Sequence, residues 1–157
     1  GNRLQKITAN TETPISGIVM GFDFGMKRIG IALGQTVTLT ARPLQTIAAK
    51  DGIPNWDELS KVLKKWQPNA LVVGIPLNMD GSEQKVSLNA RQFARALQTR
   101  FTLPVFETDE RLTTKDAKER LFAEGGFKAL QDGQVDAVAA QLILQNWLLE
   151  QNNISPK

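Results

Sequence analysis

The chain has 157 residues, with 19 Lys plus Arg against 16 Asp plus Glu for a formal charge of +3, and it contains neither cysteine nor histidine. That length fits one domain with a sizeable core, and the missing residue types exclude disulfides, thiolate or imidazole zinc sites, and Ser/His/Asp or Cys/His hydrolysis. What remains is carboxylate, lysine, hydroxyl or carboxylate-bound-metal chemistry, on a surface basic enough to permit nucleic acid but not to demand it.

Residues 1–16 are polar and show neither helical nor strand period, so they read as a flexible extension ahead of a domain over 17–150 and a polar tail over 151–157. The opening residues lack the apolar centre of a signal peptide, and no apolar stretch approaches the roughly 20 residues of a membrane span. The expectation is a cytoplasmic protein with no membrane partner. Ile18 to Phe24, Ile29 to Gln35 and Leu39 to Ala48 are extended runs around short turns, which predicts three consecutive antiparallel strands. Asn55 with Glu58 forms a capping signal for a helix whose Trp56, Leu59, Val62, Leu63 and Trp66 share one face until Pro68.

Ala70 to Ile75 is a continuous apolar run, as expected of a strand buried on both faces. A loop follows over Pro76 to Gly81, after which Ser82 is expected to cap a helix burying Val86, Ala90, Phe93, Ala94, Leu97 and Phe101. Pro104 to Glu107 reads as a further strand. Thr113 with Asp116 opens a helix ending at Gly125-Gly126, and a last helix carries Val135, Val138, Ala139, Leu142, Ile143 and Asn146 to about Glu150. The order predicts an α/β fold: a five-stranded mixed sheet, three antiparallel strands then parallel additions, with helices on both faces.

Ligands gather at the carboxyl ends of parallel strands. Asp23 and Glu110 lie at such ends, and Asp136 lies in the first turn of the last helix, so three acids far apart in sequence are placed to converge. Each alone also fits an ordinary role as turn residue, surface pair or helix-dipole partner. Together they predict a site for one or two Mg²⁺ or Mn²⁺ ions, hard cations that take oxygen ligands. Lys27, Arg28 and Arg111 stand beside the acids as candidate phosphate contacts, and Gly25, Gly74, Pro76 and Asn78 are expected to line the cleft. The chemistry this suggests is metal-dependent hydrolysis of phosphodiesters.

Four motifs stand in order: D-F-G-M-K-R-I-G from Asp23, V-V-G-I-P-L-N-M-D-G from Val72, T-D-E-R-L-T-T from Thr108 and D-A-V-A-A from Asp136. Together they closely resemble the YqgF/RuvX family, Holliday junction resolvase-like proteins also regarded as pre-16S rRNA nucleases. The resemblance runs from about Gly17 to Glu150. It implies a ribonuclease H-like fold, processing of the 5′ end of the small-subunit rRNA precursor, and metal-binding acids at Asp23, Glu110 and Asp136. Related resolvases carry a fourth acid at the end of the fourth strand, where Gly74 and Pro76 stand here, so Asp109 or Asp132 are the candidates for an extra ligand. RNA and branched DNA both remain open as substrates, as do a monomer and a homodimer and a non-catalytic binding role on a nuclease scaffold.

Overall fold

The computed structural model describes residues 16–111, 119, 128 and 134–154, with side chains described to residue 151. Its elements are β1 (Ile18–Asp23), β2 (Arg28–Gln35), β3 (Thr40–Lys50), β4 (Ile53–Pro54), α1 (Trp56–Trp66), β5 (Ala70–Ile75), α2 (Lys85–Phe101), β6 (Val105–Asp109) and α3 (Val135–Ile154). They form one six-stranded sheet in the order β4-β3-β2-β1-β5-β6. The first four strands run antiparallel to one another, and β5 and β6 add in parallel beside β1. The mixed sheet expected from the sequence is therefore present, with one more strand than expected. Ile53–Pro54 is too short to show a period, and it pairs with Ala49 and Lys50 because Asp51 and Gly52 both take positive φ and turn the chain back.

Alternation of side chains along β1, β2 and β5 divides the core in two. One face presents Met20, Phe22, Ile31, Leu71 and Val73 to the buried stripes of α1 (Leu59, Val62, Leu63) and α2 (Ala90, Phe93, Ala94, Leu97). The opposite face presents Val19, Ala32, Ala70 and Val72 to Ala140, Ile143, Leu144, Trp147 and Leu148 of α3. This second face is lined by small residues, so α3 lies close to the strands: a β-carbon on Gly21 or Gly34 would come within 3 Å of Leu144.

The helix ends follow their sequence signals in part. The Asn55 carboxamide accepts from the Asp57 and Glu58 N–H groups, as the capping signal predicts. Ser82 does not cap α2. Asp80 Oδ1 accepts both the Ser82 N–H (2.9 Å) and its hydroxyl (2.6 Å), which folds Asp80–Ser82 into a side-chain-closed turn, and the helix starts at Lys85 with Ser87 Oγ accepting the Gln84 N–H. Trp56 and Trp66, at the ends of the α1 stripe, are only half-buried; Arg100 covers the Trp56 ring at 4.2 Å, and Arg42 and Lys65 cover Trp66. The helix expected after Thr113 lies outside the described residues.

Two buried glutamines tie α3 to the start of β3. Gln145 accepts the Ala41 N–H and donates to the Leu39 carbonyl, while Gln141 donates to the Ala41 carbonyl. These amides satisfy backbone groups that would otherwise need a neighbouring strand. Among the described residues no helix is long and apolar enough to cross a membrane.

Candidate active site

Asp23 ends β1 on the face that α3 covers. Its register partners are Gly30 on β2 and Gly74 on β5, so a strand residue without a side chain flanks it on each side. Each glycine admits one of the other acids. A β-carbon on Gly30 would lie 1.9 Å from the Asp136 carbonyl oxygen, so only glycine lets the first turn of α3 come down beside Asp23. A β-carbon on Gly74 would lie 2.8 Å from Glu110 Cγ and 2.6 Å from Ile143 Cδ1, so that glycine makes room for the Glu110 side chain. Glu110 directly follows β6, and its N–H bonds the Ile75 carbonyl across the parallel pair.

The charges respond to this crowding. Asp23 is pushed up to about 8, first by burial and then by the Glu110 charge, the hydrogen bond with Glu110 and the field of Asp136. Burial also raises Glu110, opposed by its hydrogen bond with Asp23, while the Asp109 charge raises it further. Both carboxyls are thus held above their ordinary range, as a pair that shares a proton. Asp136 is near enough to be felt by Asp23, but its Oδ2 accepts from Arg28 Nε at 3.1 Å. Among the described residues no three acids are gathered tightly enough to hold a metal ion as they stand. Two of the three are in contact and the third is turned toward a cation. The donor set is nonetheless all oxygen, and two carboxyls driven together until they share a proton fit a divalent cation that would replace that proton.

Of the candidate phosphate contacts, Lys27 and Arg28 are exposed at the site's rim. Arg111 is committed elsewhere. Its guanidinium grips Asp109 through Nε and Nη2, the latter at 2.6 Å, and Nη1 donates to the Met79 carbonyl at 2.9 Å. That pairing holds Asp109 below the usual carboxylate range, so Asp109 is a salt-bridge partner rather than a spare ligand. Asp132 lies outside the described residues. Arg111 also lies against Gly81 and so fixes the 77–83 loop, which closes on itself through the Leu77–Glu83 bridge and the Asn78 to Ser82 side-chain hydrogen bond. Of the cleft residues, Gly25 gives the turn its tightness, since a β-carbon there would lie 2.5 Å from the Arg28 carbonyl. The Pro76 carbonyl accepts from Ser87. Beside Glu110 a cavity of about 100 Å³ opens between β6 and α3, lined by Thr108, Ala139, Leu142 and Asn146.

The chain is similar to known proteins over most of its length. A family model described as "RuvX: Holliday junction resolvase" matches residues 17–150. A protein of Aeromonas hydrophila named "Putative pre-16S rRNA nuclease" is 58% identical over 133 residues, covering 85% of this chain and 95% of the relative. One of the same name from Colwellia psychrerythraea is 51% identical over 146 residues, covering 92% of this chain and 99% of the relative. Among solved structures, T. thermophilus RuvC in complex with a Holliday junction substrate aligns with a TM-score of 0.58 at 18% identity, over 86% of this chain and 96% of that one. The fowlpox virus resolvase with its junction DNA aligns at 0.53 and 11% identity, over 88% of this chain and 99% of that one. These alignments identify the architecture as ribonuclease H-like. With a family match running from Gly17 through Glu150 and relatives more than half identical over nearly their whole length, the chain belongs to the RuvX family.

Proposed function

We propose that this chain is a metal-dependent nuclease that hydrolyses phosphodiester bonds in the 16S rRNA precursor, acting in the cytoplasm at the precursor's 5′ end. The observation that carries the reading is the carboxyl contact between Asp23 and Glu110 in the field of Asp136, at the sheet end where Gly30 and Gly74 make room for them. The names of the relatives supply the substrate. Asp23, Glu110 and Asp136 would hold one or two Mg²⁺ or Mn²⁺ ions, which when bound supply Lewis acidity to the attacking water and the departing oxygen. Lys27 and Arg28 bind and orient the phosphate without reading base identity. Arg111 holds the 77–83 loop beside the cleft. No side chain in this scheme acts as a nucleophile.

The test offers purified protein, with Mn²⁺ or Mg²⁺, the 16S precursor, linear single strands and a four-way DNA junction in parallel. The expected result is metal-dependent cleavage of the precursor that Asp23→Asn and Asp136→Asn both abolish while remaining folded. Cleavage of the junction alone would replace RNA by branched DNA as the substrate. Tight RNA binding without cleavage, indifferent to metal and to both acids, would leave a binding protein on a nuclease scaffold.

A further inference from the structure

We propose that Arg28 is exchanged between Asp136 and the substrate phosphate, so that a phosphodiester and a dication enter the site cooperatively. The inference rests on the reading of the three acids as a dication site and adds to it a coupling between metal and substrate.

Arg28 is the first residue of β2, and its Nε donates to Asp136 Oδ2 at 3.1 Å. No other hydrogen bond to that carboxylate occurs among the described residues. The Asp136 backbone is held in place, packed onto Gly30 while α3 seats on the sheet through Ala140, Ile143 and Leu144. Arg28 can move: its side chain is 64% exposed against 34% for Asp136, and an exposed pair of this kind is weakly held. A guanidinium and a dication compete for the same carboxylate oxygen, since each repels the other at ligand distance. A phosphodiester resolves the competition, because its two anionic oxygens match the guanidinium fork better than one carboxylate oxygen met by Nε alone. Once Arg28 has turned to the phosphate, Asp136 loses its cation and is left within the field of Asp23 to share a dication with it and Glu110. By linkage, metal must then favour phosphate as much as phosphate favours metal.

Lys27 provides the internal control. It is exposed at the same rim and carries the same charge, but no ion pair ties it to a carboxylate among the described residues. Mn²⁺ binding to the full chain is followed by electron paramagnetic resonance, with and without dimethyl phosphate, a diester too stable to be consumed. In the wild type the diester is expected to tighten Mn²⁺ about three-fold, the scale of an exposed ion pair released. R28Q is expected to bind Mn²⁺ about that much more tightly without diester, and to gain little when diester is added. K27Q, which removes a phosphate contact but releases no carboxylate, is expected to leave Mn²⁺ affinity in the absence of diester unchanged. The proposal is overturned if R28Q leaves Mn²⁺ affinity unchanged or weaker, if K27Q tightens it equally, or if the diester effect survives in R28Q. Failure of the wild type itself to bind Mn²⁺ would remove the dication reading beneath it.

Discussion

Asp23→Asn is the most informative single substitution, because it should stabilise the fold while removing activity. A carboxyl whose folded pKa is raised stays protonated in the native state after the unfolded chain has ionised, so native stability falls as pH rises through that window. For Asp23 the window runs from its ordinary 3.8 to about 8. At ~1.4 kcal/mol per pH unit the whole elevation would correspond to ~6 kcal/mol. Asp23 shares its proton with Glu110 and is partly solvated, so roughly 2 kcal/mol is the expected gain for Asn at pH 8.5, falling toward zero near pH 4. Asparagine also keeps the contact, since its N–H can donate to Glu110 without a shared proton. For a chain of this size that gain corresponds to a rise in Tm of about 5 °C. The assay is urea unfolding of wild type and variant at a series of pH values in a chelating buffer. A stability gap that is absent at pH 8.5, or that does not grow with pH, would refute the idea that the acids are forced together against their own repulsion.

Mn²⁺ affinity should rise with pH and level off near 8, because binding displaces the proton on Asp23; calorimetry in buffers of different ionisation enthalpy reads the released proton directly. Gly74→Ala should displace Glu110 and Ile143 at a cost of ~1–3 kcal/mol with loss of cleavage, and Gly30→Ala should cost more, since its obstacle is the Asp136 backbone; thermal unfolding and cleavage assays check both. Gln145→Leu removes the bonds to the Ala41 N–H and the Leu39 carbonyl and should cost ~2–4 kcal/mol in urea unfolding. Asn55→Ala removes the cap of α1 for ~1 kcal/mol and should leave cleavage unchanged, since α1 packs on the sheet face opposite α3.

The sequence carried most of the architecture because the signals were local. Asn55, the α1 stripe and the unbroken Ala70–Ile75 run each state their element within a few residues. Ser82 misled because a capping serine and an Asp-closed turn look alike until Asp80 is seen accepting from it. The acids at 23, 110 and 136 were legible as element ends, and the structure brings the first two into contact. What sequence could not show is tertiary: Gly30 and Gly74 matter through what lies opposite them, and the Gln141 and Gln145 side chains through a strand a hundred residues away. Arg111 reads as a phosphate contact from sequence because its grip on Asp109, two residues earlier, needs the chain to turn there. The same local pairing is the signal that could have revealed it.

Delivery of Asp136 by the final helix has a temporal consequence. Synthesis proceeds from the amino end, so a ribosome-bound chain has made Asp23 and Glu110 long before the helix that seats against Gly30 has emerged. On the proposed reading, hydrolytic competence arrives only once α3 has been made, and a copy truncated before it would be harmless to the RNA around it.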